Sequence, residues 1–111
     1  MPERVAFTPT ERQVQDTLVA AALVAGWLVY HPWISVRSAP GWPDLFCVHP
    51  GRGQALAFEV KAQRGRVSEA QRQWLEALAA AGIPAFVVRP QPREGELSLD
   101  EALERLTGGN Q

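Results

Sequence analysis

The chain predicts an α/β domain, a mixed four-stranded sheet flanked by helices. Three observations predict it. Three stretches of helical periodicity each open on a capping residue, four short runs are apolar with β-branched or aromatic residues, and the order is α-β-β-β-α-β-α. A hairpin-rich sheet followed by a helical crossover to one more strand places antiparallel and parallel neighbours in the same sheet.

The first helix begins at Thr8-Pro9-Thr10-Glu11, with Thr8 expected as N-cap, Pro9 in the first helical position and Glu11 placed for a capping box. Val14, Leu18, Ala21, Ala22 and Ala25 then recur at helical spacing until Gly26. Leu28 to Val36 reads as a strand, with Pro32 marking an edge or a bulge. After the turn Ser38-Ala39-Pro40-Gly41, Asp44 to Val48 is a second strand. His49 to Gly53 is a hairpin loop, Ala55 to Lys61 a third strand, and Gln63 to Arg66 the next loop. Ser68-Glu69-Ala70-Gln71 is another capping box, opening a helix through Trp74, Leu75, Leu78 and Ala79 that Gly82 stops. Ile83 to Val88 is an unbroken apolar strand. Pro90 to Gly95 is a loop, and an acidic amphipathic helix follows over 98–107, with Glu101 completing its capping box on Ser98.

At 111 residues there is room for one core, so 1–111 is read as a single domain with its core over about 8–90. Hydrophobic stretches are short and interrupted, which argues against a transmembrane span. The start Met1-Pro2-Glu3-Arg4 lacks the layout of a secretion signal. Cys47 has no second cysteine to pair with and sits in an apolar run, so it reads as a core residue. These features suit a soluble, cytoplasmic protein. His31 and His49 show no zinc spacing.

The net charge of −1 conceals an asymmetry. Residues 51–93 hold seven basic against three acidic residues, a local +4, and residues 94–111 hold five acidic against one basic, a local −4. Either these are ordinary solvated faces or the basic middle meets an anionic partner.

Glu59 and Lys61 stand two apart on a strand and so share a face, with Val60 directed to the core. Two charges on one face of an apolar strand cost free energy unless they pair or bind something. A solvated edge face explains them if nothing else converges there. Asp44 does converge, because the hairpin brings the start of its strand beside the end of the Glu59 strand. Two carboxylates and a lysine at one sheet end form a hard-oxygen site suited to Mg²⁺. Phosphodiester hydrolysis needs those parts.

Pro43-Asp44 followed by Glu59-Val60-Lys61 resembles the signature of the PD-(D/E)XK nuclease superfamily. Gly41-Trp42-Pro43-Asp44-Leu45, Phe58-Glu59-Val60-Lys61, Gly65-Arg66-Val67-Ser68, Gln71, Trp74-Leu75, Ala81-Gly82 and Val87-Val88-Arg89 together resemble its VRR-NUC subgroup, small domains related to Holliday-junction resolvases. The bare signature arises by chance; with the Gly-Arg-x-Ser-x-x-Gln helix start it is specific. The resemblance implies a restriction-endonuclease-like αβββαβ core and an endonuclease that cuts DNA with Mg²⁺ or Mn²⁺. Asp44, Glu59 and the Val60 backbone carbonyl would hold the metal, and Lys61 would orient or deprotonate the attacking water.

Gln71 sits where the superfamily places a polar group beside the site, or it caps Ser68, and the two roles are compatible. Glu11 is either a further metal ligand or a helix cap, and Gln15 is a weaker polar candidate on the same helix. Arg64 and Arg66, then Arg52 and Arg37, are expected at the DNA phosphate backbone. Trp74 is expected in the core, whereas Trp33 and Trp42 are left open. The resemblance further implies a homodimer, a preference for branched DNA or junctions, and a bacterial, phage or prophage origin. The alternatives are a non-cleaving DNA- or protein-binding module of the same fold, and a nuclease subunit active only with a partner.

Overall fold

The computed structural model describes residues 8–32 and 39–108. The elements follow the expected order: α1 (Glu11–Val24), β1 (Leu28–Tyr30), β2 (Leu45–His49), β3 (Gln54–Val60), α2 (Glu69–Ala80), β4 (Ala85–Val88) and α3 (Leu99–Thr107). Strand β1 is described for three residues; the rest of the expected Leu28–Val36 strand from Trp33 onward lies outside the described residues, as does Arg37. No helix among the described residues is long and apolar enough to cross a membrane.

The sheet runs β1-β2-β3-β4, antiparallel across the first two pairs and parallel across the last. Strand periodicity divides its side chains into two faces. Leu45, Cys47, Leu56, Phe58, Val60 and Val88 join Val14, Leu18 and Ala22 of α1 and Ala102 and Leu106 of α3 in the main core. The opposite face carries Glu59 and Val87 and is covered by α2. Cys47 is fully buried, as its apolar run implied, and burial pushes its thiol up to about 12. Trp27 closes the core at the far end, where its indole N–H donates to the Leu106 carbonyl at 2.7 Å.

Helices α2 and α3 start with the expected capping boxes, Ser68 with Gln71 and Ser98 with Glu101. Helix α1 corrects the expectation. Its N-cap is Thr10, not Thr8, and the reciprocal partner is Gln13, not Glu11. Pro9 biases Thr8 toward extended backbone and stands before the cap instead of inside the first turn. Glu11 therefore opens the helix with its carboxylate uncommitted to capping.

Candidate active site

The register settles how Asp44 and Glu59 meet. Leu45 pairs with Phe58 across β2 and β3, so Asp44, one residue earlier, lies opposite Glu59 at the same sheet end. Asp44 Oδ2 accepts the Val60 backbone N–H at 2.8 Å, fixing the carboxylate against the end of β3. The segment leading to Asp44 is pressed onto the start of α2. A side chain at Gly41 would come within 2.3 Å of the Ala70 backbone, and Gly41 has φ +83°. Trp74 adds an indole N–H to the Pro40 carbonyl at 3.1 Å, and its ring packs edge-on against Trp42.

Glu59 is 3% exposed, among the few buried polar residues. Lys61 Nζ is 3.7 Å from its Oε2, and Gln71 Nε2 donates to that same oxygen at 2.9 Å. Gln71 makes both contacts at once, since its Oε1 also accepts the Ser68 N–H. Glu59 Oε1 is buried with no hydrogen-bond partner. Burial, and then the Asp44 charge, push the Glu59 carboxyl up to about 8, against the pull of Lys61. Asp44 is raised as well, by burial first, while the Val60 N–H and Lys61 oppose the rise and Glu11 adds to it.

An orphaned carboxylate oxygen facing a second carboxylate fits a divalent cation. Among the described residues no three His, Cys, Asp or Glu side chains form a ready-made cage. That suits an ion that keeps several waters and takes one or two protein carboxylates, as Mg²⁺ does. Glu11 does not complete a carboxylate trio. Its Oε2 accepts the Ala62 N–H at 3.2 Å, near enough for its charge to act on Asp44.

Arg64 and Arg66 are exposed on the loop directly after Lys61. Arg52 is not part of this region. It sits in the turn before the other end of β3, where its Nη1 donates to the Leu106 carbonyl at 3.3 Å and its guanidinium lies over Trp27. Two contributors escaped the sequence reading. His31 Nδ1 donates to the Asp44 carbonyl at 2.7 Å, and its charge acts on Asp44. Arg89, counted with the basic middle, is 1% exposed and turned inward. His49, by contrast, is structural as expected: Nε2 donates to the Ala25 carbonyl and Nδ1 accepts the Arg52 N–H.

A three-layer α/β fold with two carboxylates, a lysine and a glutamine gathered at one sheet end is a nuclease-like arrangement. The VRR-NUC domain family model matches residues 31–92, more than half of the chain. The chain belongs to the VRR-NUC domain family. It is also similar to a solved structure titled as a VRR-NUC domain, with 24% identity, 88% of this chain and 94% of that chain covered, and a TM-score of 0.62. That likeness bears on the fold. No curated protein matches the chain. The family match takes in Asp44, Glu59, Lys61 and Gln71, while Glu11 lies outside it.

Proposed function

We propose that this domain is a Mg²⁺- or Mn²⁺-dependent endonuclease that hydrolyses DNA phosphodiester bonds. The observation that carries the reading is the buried, partnerless Glu59 Oε1 beside Asp44, with Lys61 at hand. Asp44, Glu59 and the Val60 carbonyl would hold the ion, with Glu11 available to join if it leaves the Ala62 N–H. The ion would supply Lewis-acid polarisation of the phosphoryl oxygen.

The chain's own residues do the rest. Lys61, 15% exposed and tethered to Glu59, positions the attacking water or takes its proton. Gln71 holds Glu59 in place through its amide N–H. Arg64 and Arg66 meet the phosphate backbone and fix register without reading sequence.

The reading includes a homodimer, and an apolar band exposed among the described residues supports it. Leu23, Val24, Leu28 and Tyr30 are all large apolar or aromatic residues more than half exposed, and β1 is a sheet edge. Exposed apolar residues of this kind are the sort that a second copy covers, and a symmetric pair would offer two sites to two strands of a branched or junction substrate. A cytoplasmic setting in a bacterial cell, a phage or prophage host included, is part of the same reading and rests on the family resemblance.

The test is cleavage of supercoiled plasmid and synthetic four-way junctions with Mg²⁺, Mn²⁺ or EDTA. Metal-dependent cutting that disappears in both Lys61→Ala and Asp44→Asn supports the reading. Metal-independent binding with no cutting of any substrate replaces it with a non-cleaving module. Cutting that appears only on addition of another protein replaces it with a partner-dependent subunit. Gel filtration tests the pair, and a strictly monomeric species removes the two-strand arrangement.

A further inference from the structure

Arg89 directly follows β4 with its guanidinium buried, and each of its three nitrogens donates. Nε and Nη2 make a bidentate pair with Glu96, at 2.8 Å to Oε1 and 3.2 Å to Oε2. Nη1 collects three backbone carbonyls of the loop that follows Lys61: Ala62 at 2.9 Å, Gln63 at 3.1 Å and Gly65 at 2.6 Å. Three carbonyl dipoles aimed at one point repel one another unless a cation sits there. With the carbonyls turned inward around that cation, the side chains of Arg64 and Arg66 stand exposed.

A second tie joins the same two segments. Gln63 Nε2 donates to the Gln91 carbonyl at 3.1 Å, and Gln63 Oε1 accepts the Gln91 N–H at 2.7 Å. The loop also folds back on the lysine it follows. A Cβ at Gly65 would lie 3.4 Å from Lys61 Cδ, so the backbone there runs against the lysine stem. The conformation that displays the two arginines is the one that packs Lys61.

We propose that Arg89 is a positioning residue of the nuclease, fixing the Ala62–Gly65 backbone so that Arg64 and Arg66 face the DNA phosphates beside Lys61. This rests on the nuclease reading above and adds to it a residue that never touches DNA. An ordinary core arginine would affect stability alone, whereas a positioning one changes how many phosphates the protein neutralises. Each phosphate contact contributes about 0.9 to the slope of log affinity against log salt, so losing both arginines flattens the slope by about 1.8.

The experiment measures binding of a labelled DNA duplex in EDTA, across a salt series, for the unmutated protein, Arg89→Lys, Arg64→Ala/Arg66→Ala, and the three changes together. Lysine keeps the charge but cannot gather three carbonyls while pairing bidentately with Glu96. Arg89→Lys, shown folded by circular dichroism, is expected to bind roughly tenfold more weakly with a flatter slope approaching that of the double variant. The triple variant is expected to be no worse than the double. If Arg89→Lys does not fold, Glu96→Gln, which frees the guanidinium from its orienting partner, is judged by the same two criteria. Unchanged affinity and slope in a folded variant, or losses that add to those of Arg64 and Arg66, overturn the assignment while leaving the nuclease reading intact. Absence of salt-dependent binding by the unmutated protein overturns both.

Discussion

Glu59 is held where its charge is unwelcome, and that is a statement about stability as well as chemistry. Its carboxyl titrates at about 8 in the fold against an ordinary value of 4.5, because burial and the Asp44 charge penalise the ionised form. Between those values the folded chain keeps a proton that the unfolded chain releases. The metal-free protein therefore loses stability as pH rises from 4.5 towards 8, and the contribution is intact below 4.5. Glu59→Gln removes the charge and can keep an oxygen for the Gln71 amide. It is expected to raise the melting temperature of metal-free protein at pH 8 by several degrees while abolishing metal-dependent cutting. A lower melting temperature for the variant at pH 8 would contradict this account of the site. Glu96 behaves in the opposite sense. Burial alone would raise its pKa, but hydrogen bonds from Arg89 and the Arg93 N–H, with both arginine charges, hold it below 4.5. Its contribution is present above 4.5 and is lost as pH falls through the lowered value. In acid titrations the unmutated protein is thus expected to lose stability below pH 4.5 more steeply than Glu96→Gln.

The elements were legible in the sequence because each carried a local signal that tertiary structure did not override. Two capping boxes and the glycine stops after α1 and α2 were all local and all hold in the structure, and Lys61, one residue past β3, still meets Glu59. The N-cap of α1 was not legible, because Thr8 and Thr10 both offer a hydroxyl and the choice depends on Gln13 reaching back to the Thr10 N–H at 2.9 Å. Removing the true cap costs about 1 kcal/mol, so Thr10→Ala is expected to lower stability by that amount in urea titrations and Thr8→Ala to leave it unchanged. Equal losses for the two would restore the earlier cap. Nor was the inward turn of Arg89 legible, since its partners at 62, 63 and 65 are brought to it only by the crossover and Glu96 by the loop after β4. Arg52 misled for a related reason: the hairpin tip is exposed as expected, but it lies at the sheet end away from the site and the guanidinium reaches over Trp27 to α3. Gly41 shows a constraint between elements that composition hints at only as a turn. Gly41→Ala must both adopt φ +83° and displace the α2 backbone, and it is expected to cost more than about 2 kcal/mol together with most of the activity.

For the molecule as a whole, the core and the site occupy different parts of one sheet. Apolar packing against α1 and α3 secures the fold, and the charged end gathers the chain segments at Glu11, Asp44, Glu59 to Lys61 and Gln71. Metal binding to the folded chain alone is therefore expected to add stability, by about 2.7 kcal/mol at a hundred times the dissociation constant. Thermal shift in Mg²⁺ or Mn²⁺ should register this in the unmutated protein and not in Asp44→Asn, and an equal shift in both would place the ion elsewhere. The bond from the Val60 N–H to Asp44 Oδ2 makes this division observable in time. Val60 lies at the end of a core strand, yet its amide is guarded by the Asp44 side chain of the candidate site. Its hydrogen exchange can proceed whenever that carboxylate swings away, whereas amides within β3 wait for larger openings of the sheet. One backbone proton thus acts as a clock for the excursions of Asp44, and an ion bound by the carboxylate, as proposed above, would reset its rate.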